Sequence, residues 1–506
     1  MPIARALPDL MHRQMIPHAE IFTADCDCDC SLGLDDTSTN TFVPGISVPL
    51  PAQLQQAPGL YRDQLSDGRE FVFNPLSAAG VIVLTPRAAH LLDSFALPQQ
   101  IAATDTPQVS GAHAVIAQLA AYDLLIEPGR ELMPIFQPAK TLAAWLHSTN
   151  DCNLRCSYCY IRKTADRMSH EVGRHTIDML FASAEQHGFS KVKLKFSGGE
   201  ALLNLSLVLS LNAYAQEKAA ISSVSVQSLV LSNGIAISAS TARKLREQGI
   251  GICISLDGIG AHHDAERRLV NGGGSFVYVQ RGIQTLLEAG LVPTIAITVS
   301  EYTLDGLPQL FDYLLDLDLP FTLSFYREHE QSACETHLRF GEQHIIAALL
   351  AALSHIEQRL PRRSLLESLV DKANFLAAHD HTCAAGSSYL VVDQHGQIAK
   401  CPMEIERPIT TIFAADPLHE LRSSVIGLQN VSVDAKEGCQ SCTWRYWCAG
   451  GCPVQTYRAT GRYDIRSPNC AIYKALFPAL LRLEALRIAT FAPEYSAPNP
   501  VERAAA

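Results

Sequence analysis

TLAAWLHSTNDCNLRCSYCY, residues 141–160, runs from a stretch that reads as a strand into a loop with three cysteines. The strand is TLAAWLHST (141–149). The loop, CNLRCSYCY (152–160), has the spacing C-x3-C-x2-C. Three thiolates are one short of what a structural zinc or a cube of four irons takes. On a loop after a strand they suit three corners of one [4Fe–4S] cube. The fourth iron then stays open to a ligand with an amine and a carboxylate. A zinc knuckle or a redox trio of thiols would use the same residues.

Outward from this stretch, strands and helices alternate. Strands are expected at 141–149, 191–197, 226–232, 251–257, 292–300 and 319–326, and amphipathic helices near 169–187, 203–218, 239–248, 275–289 and 305–316. Six β-α units in succession imply an α/β fold with a parallel sheet, a partial (β/α)6 TIM barrel. Functional residues then belong just after the carboxyl ends of the strands. The cysteine loop follows strand one, SGGE (197–200) ends strand two, SNG (232–234) strand three and SLDG (255–258) strand four. All four open on one rim.

The 506 residues suggest about two to four domains. A net charge of −11 argues against a nucleic-acid binder. The longest apolar run, IIAALLAAL (345–353), is too short for a membrane span. The first residues, MPIARALPDLMHRQ, lack the apolar core of a signal peptide, so the expectation is a cytoplasmic protein bound to neither membrane nor nucleic acid. The fifteen cysteines fall into groups, with only Cys253 and Cys334 apart, which in the cytosol points to metal or catalysis.

The expected organisation is an irregular segment at 1–45, a small module of strands and short helices at 46–135, the barrel at 140–335, a helical bridge at 336–378, a cysteine-rich domain at 379–490 and a tail at 491–506. In the module, EFVFN and GVIVL read as strands, Thr85-Pro86 caps a helix, and HAVIAQLAAYDLL forms a second.

CNLRCSYCY resembles the signature of the radical S-adenosylmethionine (SAM) enzymes, including the aromatic Tyr158 before the last cysteine. The resemblance implies that Cys152, Cys156 and Cys159 hold a [4Fe–4S] cluster whose open iron binds the methionine end of SAM. One electron from the cluster, supplied by an external donor of flavodoxin or ferredoxin type, cleaves the sulfonium. The resulting 5′-deoxyadenosyl radical abstracts hydrogen from the substrate. Ser197, Gly198, Gly199 and Glu200 look like the family's GGE motif, which holds the methionine amino group, with glycines that let backbone approach a ligand. Ser255 and Arg267 resemble the pair on the carboxylate; a surface salt bridge would equally explain Arg267. Asn233 faces the ribose in this reading, or simply makes an Asn-Gly turn.

Toward the end, Cys383, Gly396 and Cys401 precede GCQSCTWRYWCAGGC, with Cys439, Cys442, Cys448 and Cys452, and Cys470 follows. The set is similar, cysteine for cysteine, to the SPASM extension of radical enzymes that modify peptides. A zinc ribbon would explain four of the seven. The resemblance implies two auxiliary iron–sulfur clusters of [4Fe–4S] type, one on Cys383, Cys401 and Cys452, the other on Cys439, Cys442, Cys448 and Cys470. The first lacks a fourth ligand: the iron is open, or is completed by Cys334 or by the N-terminal cysteines.

The module at 46–135 resembles the winged-helix-like unit that binds leader peptides in ribosomally made peptide pathways; a structural cap on the barrel would use the same elements. The implied partner is a ribosomally made precursor peptide or a protein, modified by a thioether or carbon–carbon cross-link. A formylglycine-forming maturase, a radical enzyme on a small molecule, and an iron–sulfur electron carrier or zinc scaffold are the alternatives. Sulfatase-maturing relatives carry an aspartate after the second auxiliary cysteine, where this chain has Pro402. Tyr326, Arg327 and Glu328, at the end of strand six, are the candidates for acid–base work. Cys26, Cys28 and Cys30 in CDCDC share one face of an extended chain, as a metal trap, thiol relay, extra ligands or a tail without a role.

Overall fold

The computed structural model describes residues 50–101, 107–330 and 336–491. Cys26, Cys28, Cys30 and Cys334, and all of the tail but Phe491, lie outside the described residues.

The first module holds β1 (Gln53–Gln56), β2 (Tyr61–Gln64), β3 (Glu70–Phe73), β4 (Val81–Leu84), α1 (Pro86–Asp93), β5 (Gln99–Gln100), α2 (Pro107–Ala121) and β6 (Leu125–Ile126). Two antiparallel three-stranded sheets form, β5-β1-β6 and β2-β3-β4. Thr85 caps α1, its hydroxyl accepting from the Ala88 amide at 3.3 Å. The second helix begins six residues before the expected His113. Alternation along β3 and β4 splits the strands between two cores: Val72 and Leu84 face the module's own, with Leu92 and Leu119, while Phe71, Phe73, Val81 and Val83 join the main core of the chain.

The main body follows with β7 (Thr141–Thr149), β8 (Leu154–Cys156), α3 (His170–Gln186), β9 (Lys191–Gly198), α4 (Leu205–Ala220), β10 (Ser225–Ser232), α5 (Ala239–Glu247), β11 (Ile250–Ser255), α6 (Ala261–Glu266), β12 (Arg267–Leu269), α7 (Phe276–Glu288), β13 (Thr294–Val299), α8 (Leu307–Asp316), β14 (Phe321–Phe325) and α9 (Glu342–Gln358). Six of the strands, β7, β9, β10, β11, β13 and β14, pair in chain order and in parallel. This is the expected partial barrel: β14 and β7 stand far apart in the sheet order and do not close it.

The sheet continues past β7. β15 (Tyr389–Val392) lies parallel to it, and β16 (Gln397–Ala399) and β17 (Thr410–Thr411) follow antiparallel, giving nine strands. The boundary expected at 379 therefore does not fall between separate sheets. Short helices α10 (Pro417–Ser423), α11 (Arg445–Cys448) and α12 (Pro453–Thr460) and the long α13 (Cys470–Phe491) complete the chain.

Even-numbered residues of β7 and β9 pack under the helices. The opposite face carries Ala143, Trp145, Leu229, Leu231 and Cys253, together with Tyr389 and Val391 of β15. Lys193 and Lys195 share the inward side of β9, and both are buried. Burial lowers the Lys193 pKa to about 6; the Lys195 charge adds to this and Glu367 opposes it. The KVKLK alternation holds this pattern, but a strand with buried lysines reads in sequence as one with a solvated face.

Phe375 joins three regions of the chain. Its ring lies 5.6 Å from Phe73 of the module, 5.5 Å from Trp447 and 4.9 Å from Phe477 of α13. Phe375→Ala is expected to destabilise the protein by about 3–5 kcal/mol, read as a lowered urea midpoint. An unchanged midpoint would show that the rings do not hold these regions together.

Candidate functional site

The cysteine loop is held by backbone on two sides. β8 pairs antiparallel with β12, setting Cys156 opposite Arg267, and the Ser157 amide donates to the Glu266 carbonyl at 3.0 Å. On the other side the Gly199 and Glu200 amides donate to the carbonyls of Thr149 and Asp151, at 2.6 and 2.9 Å. A Cβ on Gly199 would stand 2.2 Å from the Asp151 oxygen, and one on Gly198 2.3 Å from that of Thr149. The glycines thus let backbone approach backbone, where the motif resemblance implied approach to a ligand.

Glu200 is buried, and its carboxylate is already engaged. It accepts from the Leu202 amide at 3.0 Å, the Ser232 hydroxyl at 2.8 Å and the Asn233 amide at 2.7 Å, tying the end of β9 to that of β10. Burial still raises its pKa. The Asn233 side chain donates to Asn153 at 2.7 Å and reaches Cys152 Sγ at 3.9 Å, so it braces the cysteine loop. Ser255 stands half-buried at the end of β11.

Arg267 is no surface residue: it is buried, its guanidinium donates to the Tyr158 hydroxyl, and it lies 3.5 Å from Asp257. Tyr158 in turn donates to Asp257 at 2.5 Å, and the other Asp257 oxygen accepts from the Thr298 amide at 2.8 Å. Arg267 Nε is buried without a partner, a donor left over for an anionic group. Sequence reasoning missed Asp257, although a charge in SLDG at a strand end was its signal. It also missed Glu266, whose carboxyl accepts from Ser300 and whose pKa burial pushes up to about 7.

The three thiols act on one another. Burial pushes Cys156 up to about 12; Arg267 eases this, and Cys159 and Cys152 add to it. Lys163 donates to Cys159 Sγ at 3.1 Å. Buried thiols of this kind gain from a metal that holds them as thiolates. Among the described residues no three His, Cys, Asp or Glu side chains converge as ligands of a single ion would.

Residues 146–314 match the model of the Radical SAM superfamily. The chain carries a radical SAM domain. Its relatives include the Fe-coproporphyrin III synthase of Methanosarcina barkeri, 29% identical over 38% of this chain and 46% of that protein. The pre-heme d1 synthase of Dinoroseobacter shibae is 32% identical over 34% of this chain and 39% of its own length. The chain spans about half the length of the curated relatives it matches. Among solved structures, that of anSMEcpe with bound AdoMet and Cp18Cys peptide is similar in fold, with a TM-score of 0.57 at 18% identity over 69% of this chain and 99% of that one.

Beside the radical SAM domain the later cysteines lie in two places. Cys439, Cys442, Cys448 and Cys470 line one recess of about 340 Å³, open solvent included, with Lys474, Arg466 and Tyr473. Burial pushes Cys448 up to about 12 and Cys439 up to about 11. Cys383, Cys401 and Cys452 are buried in another cluster, against Tyr389 and the inward face of the barrel. Cys253 packs in that same cluster, a neighbour that its isolation in sequence concealed.

The structure does not bring Tyr326, Arg327 and Glu328 together. Tyr326 is buried, its amide donating to Val299. Arg327 donates at 2.5 Å to Asp371, whose other oxygen accepts from Tyr473 of α13. Glu328 turns outward to Arg339. As a joint acid–base group at the barrel mouth the three are corrected: Arg327 instead joins barrel to C-terminal helix. Among the described residues no helix is long and apolar enough to cross a membrane.

Glu266 gives a pH test. Its raised carboxyl pKa means that its stabilising share is present below about pH 4.3, the unfolded value, and is lost as pH rises through about 7. Glu266→Gln, which stays neutral, should gain about 2–3 kcal/mol on the wild type between pH 5 and pH 8, read by thermal unfolding at both. Parallel curves would contradict this.

Proposed function

We propose that the chain is a radical SAM enzyme that modifies a peptide or protein by a cross-link, thioether or carbon–carbon. The observation that carries the reading is the sorting of ten cysteines, distant in sequence, into a loop trio at the barrel rim and two further groups, one buried and one lining a recess.

In this reading Cys152, Cys156 and Cys159 hold the cluster that binds SAM. The bound cluster supplies the electron that cleaves SAM to methionine and a 5′-deoxyadenosyl radical, which takes hydrogen from the substrate. The chain's own residues do the rest. Arg267, aligned by Asp257 and Tyr158, offers its spare donor to the SAM carboxylate, and Ser255, at the end of β11, is the second candidate for it. Glu200 and Asn233 fix the loop that faces the cofactor. The glycine-tight packing of 198–199 on 149–151 keeps the cysteine spacing rigid. Two auxiliary clusters on Cys383, Cys401 and Cys452 and on Cys439, Cys442, Cys448 and Cys470 serve electron transfer and stapling. An external one-electron donor of flavodoxin or ferredoxin type reduces the enzyme in the cell.

The peptide substrate is supported by the seven-cysteine arrangement and by the likeness in fold to anSMEcpe, whose structure holds a peptide. The small module supports leader binding through β2, an edge of its meander. A second reading, a small-molecule substrate, is favoured by the relatives named as synthases of Fe-coproporphyrin III and pre-heme d1.

Anaerobic reconstitution with dithionite and SAM should yield 5′-deoxyadenosine. Replacing Cys152, Cys156 and Cys159 with Ala should abolish it while retaining about eight irons per chain. A fully loaded protein that makes no 5′-deoxyadenosine sinks the reading. Co-expression with a precursor peptide encoded beside the gene should lower that peptide's mass by two hydrogens per cross-link; unchanged mass beside active turnover on a porphyrin favours the second reading.

A further inference from the structure

One buried cation, Lys436, lies near members of both auxiliary groups of cysteines. Lys436 lies three residues before Cys439 and is 1% exposed. Its ammonium donates to the Ala449 carbonyl at 2.7 Å and reaches the Thr382 hydroxyl at 3.4 Å. That hydroxyl donates to the carbonyls of Ala449 and Gly451, both at 2.8 Å. Each of these partners adjoins a cysteine: Thr382 precedes Cys383, Ala449 follows Cys448 and Gly451 precedes Cys452.

Gly450 makes room for this cation. Its φ is +78°, and a Cβ there would stand 2.6 Å from Lys436 Cδ, 3.1 Å from Nζ and 3.4 Å from Cys439 Sγ. The ammonium and that sulfur therefore flank one small space that a methyl group would fill. Burial acts most strongly on the ammonium and works against its charge, while Cys439, Cys383, Cys448 and Cys452, two from each group, favour it. Lys474 and Arg466, by contrast, border the second recess.

A cluster held by several thiolates is an anion, and one-electron reduction adds a further negative charge. A cation buried beside it stabilises the reduced form more than the oxidised one, and low surrounding dielectric strengthens the effect. We propose that Lys436 is a positioning residue for electrons: a single shared cation that raises the reduction potentials of both auxiliary clusters together. The proposal rests on the auxiliary clusters assigned above.

The test uses full-length protein, anaerobically reconstituted, in which Cys152, Cys156 and Cys159 are Ala so that only auxiliary signals remain. Iron is counted, and each signal is followed by electron paramagnetic resonance through a dithionite redox titration. Lys436→Gln keeps a donor for the Ala449 carbonyl and loses the charge. Both midpoints should fall to more negative potential at unchanged iron content, whereas Lys436→Arg should hold them near the parent values. Lys474→Gln should move only the cluster in the second recess. Unmoved midpoints in Lys436→Gln at full iron content overturn the proposal, as does movement of one cluster alone. Equal iron loss in the Gln and Arg variants also overturns it, because the side chain is then a structural pin. A parent protein that binds no iron overturns the auxiliary-cluster reading itself, and is told apart by that count.

Discussion

Gly199 touches the backbone of Asn150 and Asp151 with nothing in between, and the arrangement of the site follows from that contact. A Cβ at this position would lie within 2.6 Å of two carbonyl oxygens. The end of β9 can therefore bond, amide to carbonyl, with the chain that leaves β7. The first cysteine is placed immediately after, and β8 is then set to pair with β12. That second pairing carries Arg267 to Cys156. Two backbone ladders, one on each side, give a nine-residue loop the rigidity of a sheet element. Pre-organisation of this kind matters where three thiolates must present three corners of one group.

Burial works against the same thiols. A cysteine taken out of water without a partner resists ionisation, as Cys156, Cys448 and Cys439 do. The chain answers with cations set close to sulfur: Arg267 opposite Cys156, Lys163 on Cys159, and Lys436 beside Cys439. The arrangement is consistent with groups that stay ionised once a cluster is bound.

The barrel was legible in the sequence because most strands carry an apolar run and amphipathic stretches lie between them. The observed strand and helix ends fall within about two residues of most expected ones. The rim motifs were legible for the same reason, since they terminate those runs. Three features were not. Lys193 and Lys195 alternate with apolar residues, and alternation does not say which face is buried. The tie of Arg327 to Asp371 and Tyr473 spans more than a hundred residues, which no local pattern encodes. Asp257 in SLDG carries no local pattern of its own, and only its contacts with Tyr158 and Thr298 give it a task.

The continuous sheet bears on how the later cysteines relate to the barrel. Because β15 pairs with β7 residue for residue, Tyr389 lies beside Ala143 and Val391 beside Trp145. Cys383 precedes β15 and Cys401 follows β16, so strand register fixes both of them against the inner face of the barrel. A separate domain on a flexible linker could drift relative to the rim. Here a backbone ladder prevents it, and any electron passing between the auxiliary groups and the rim crosses a separation that the sheet itself sets.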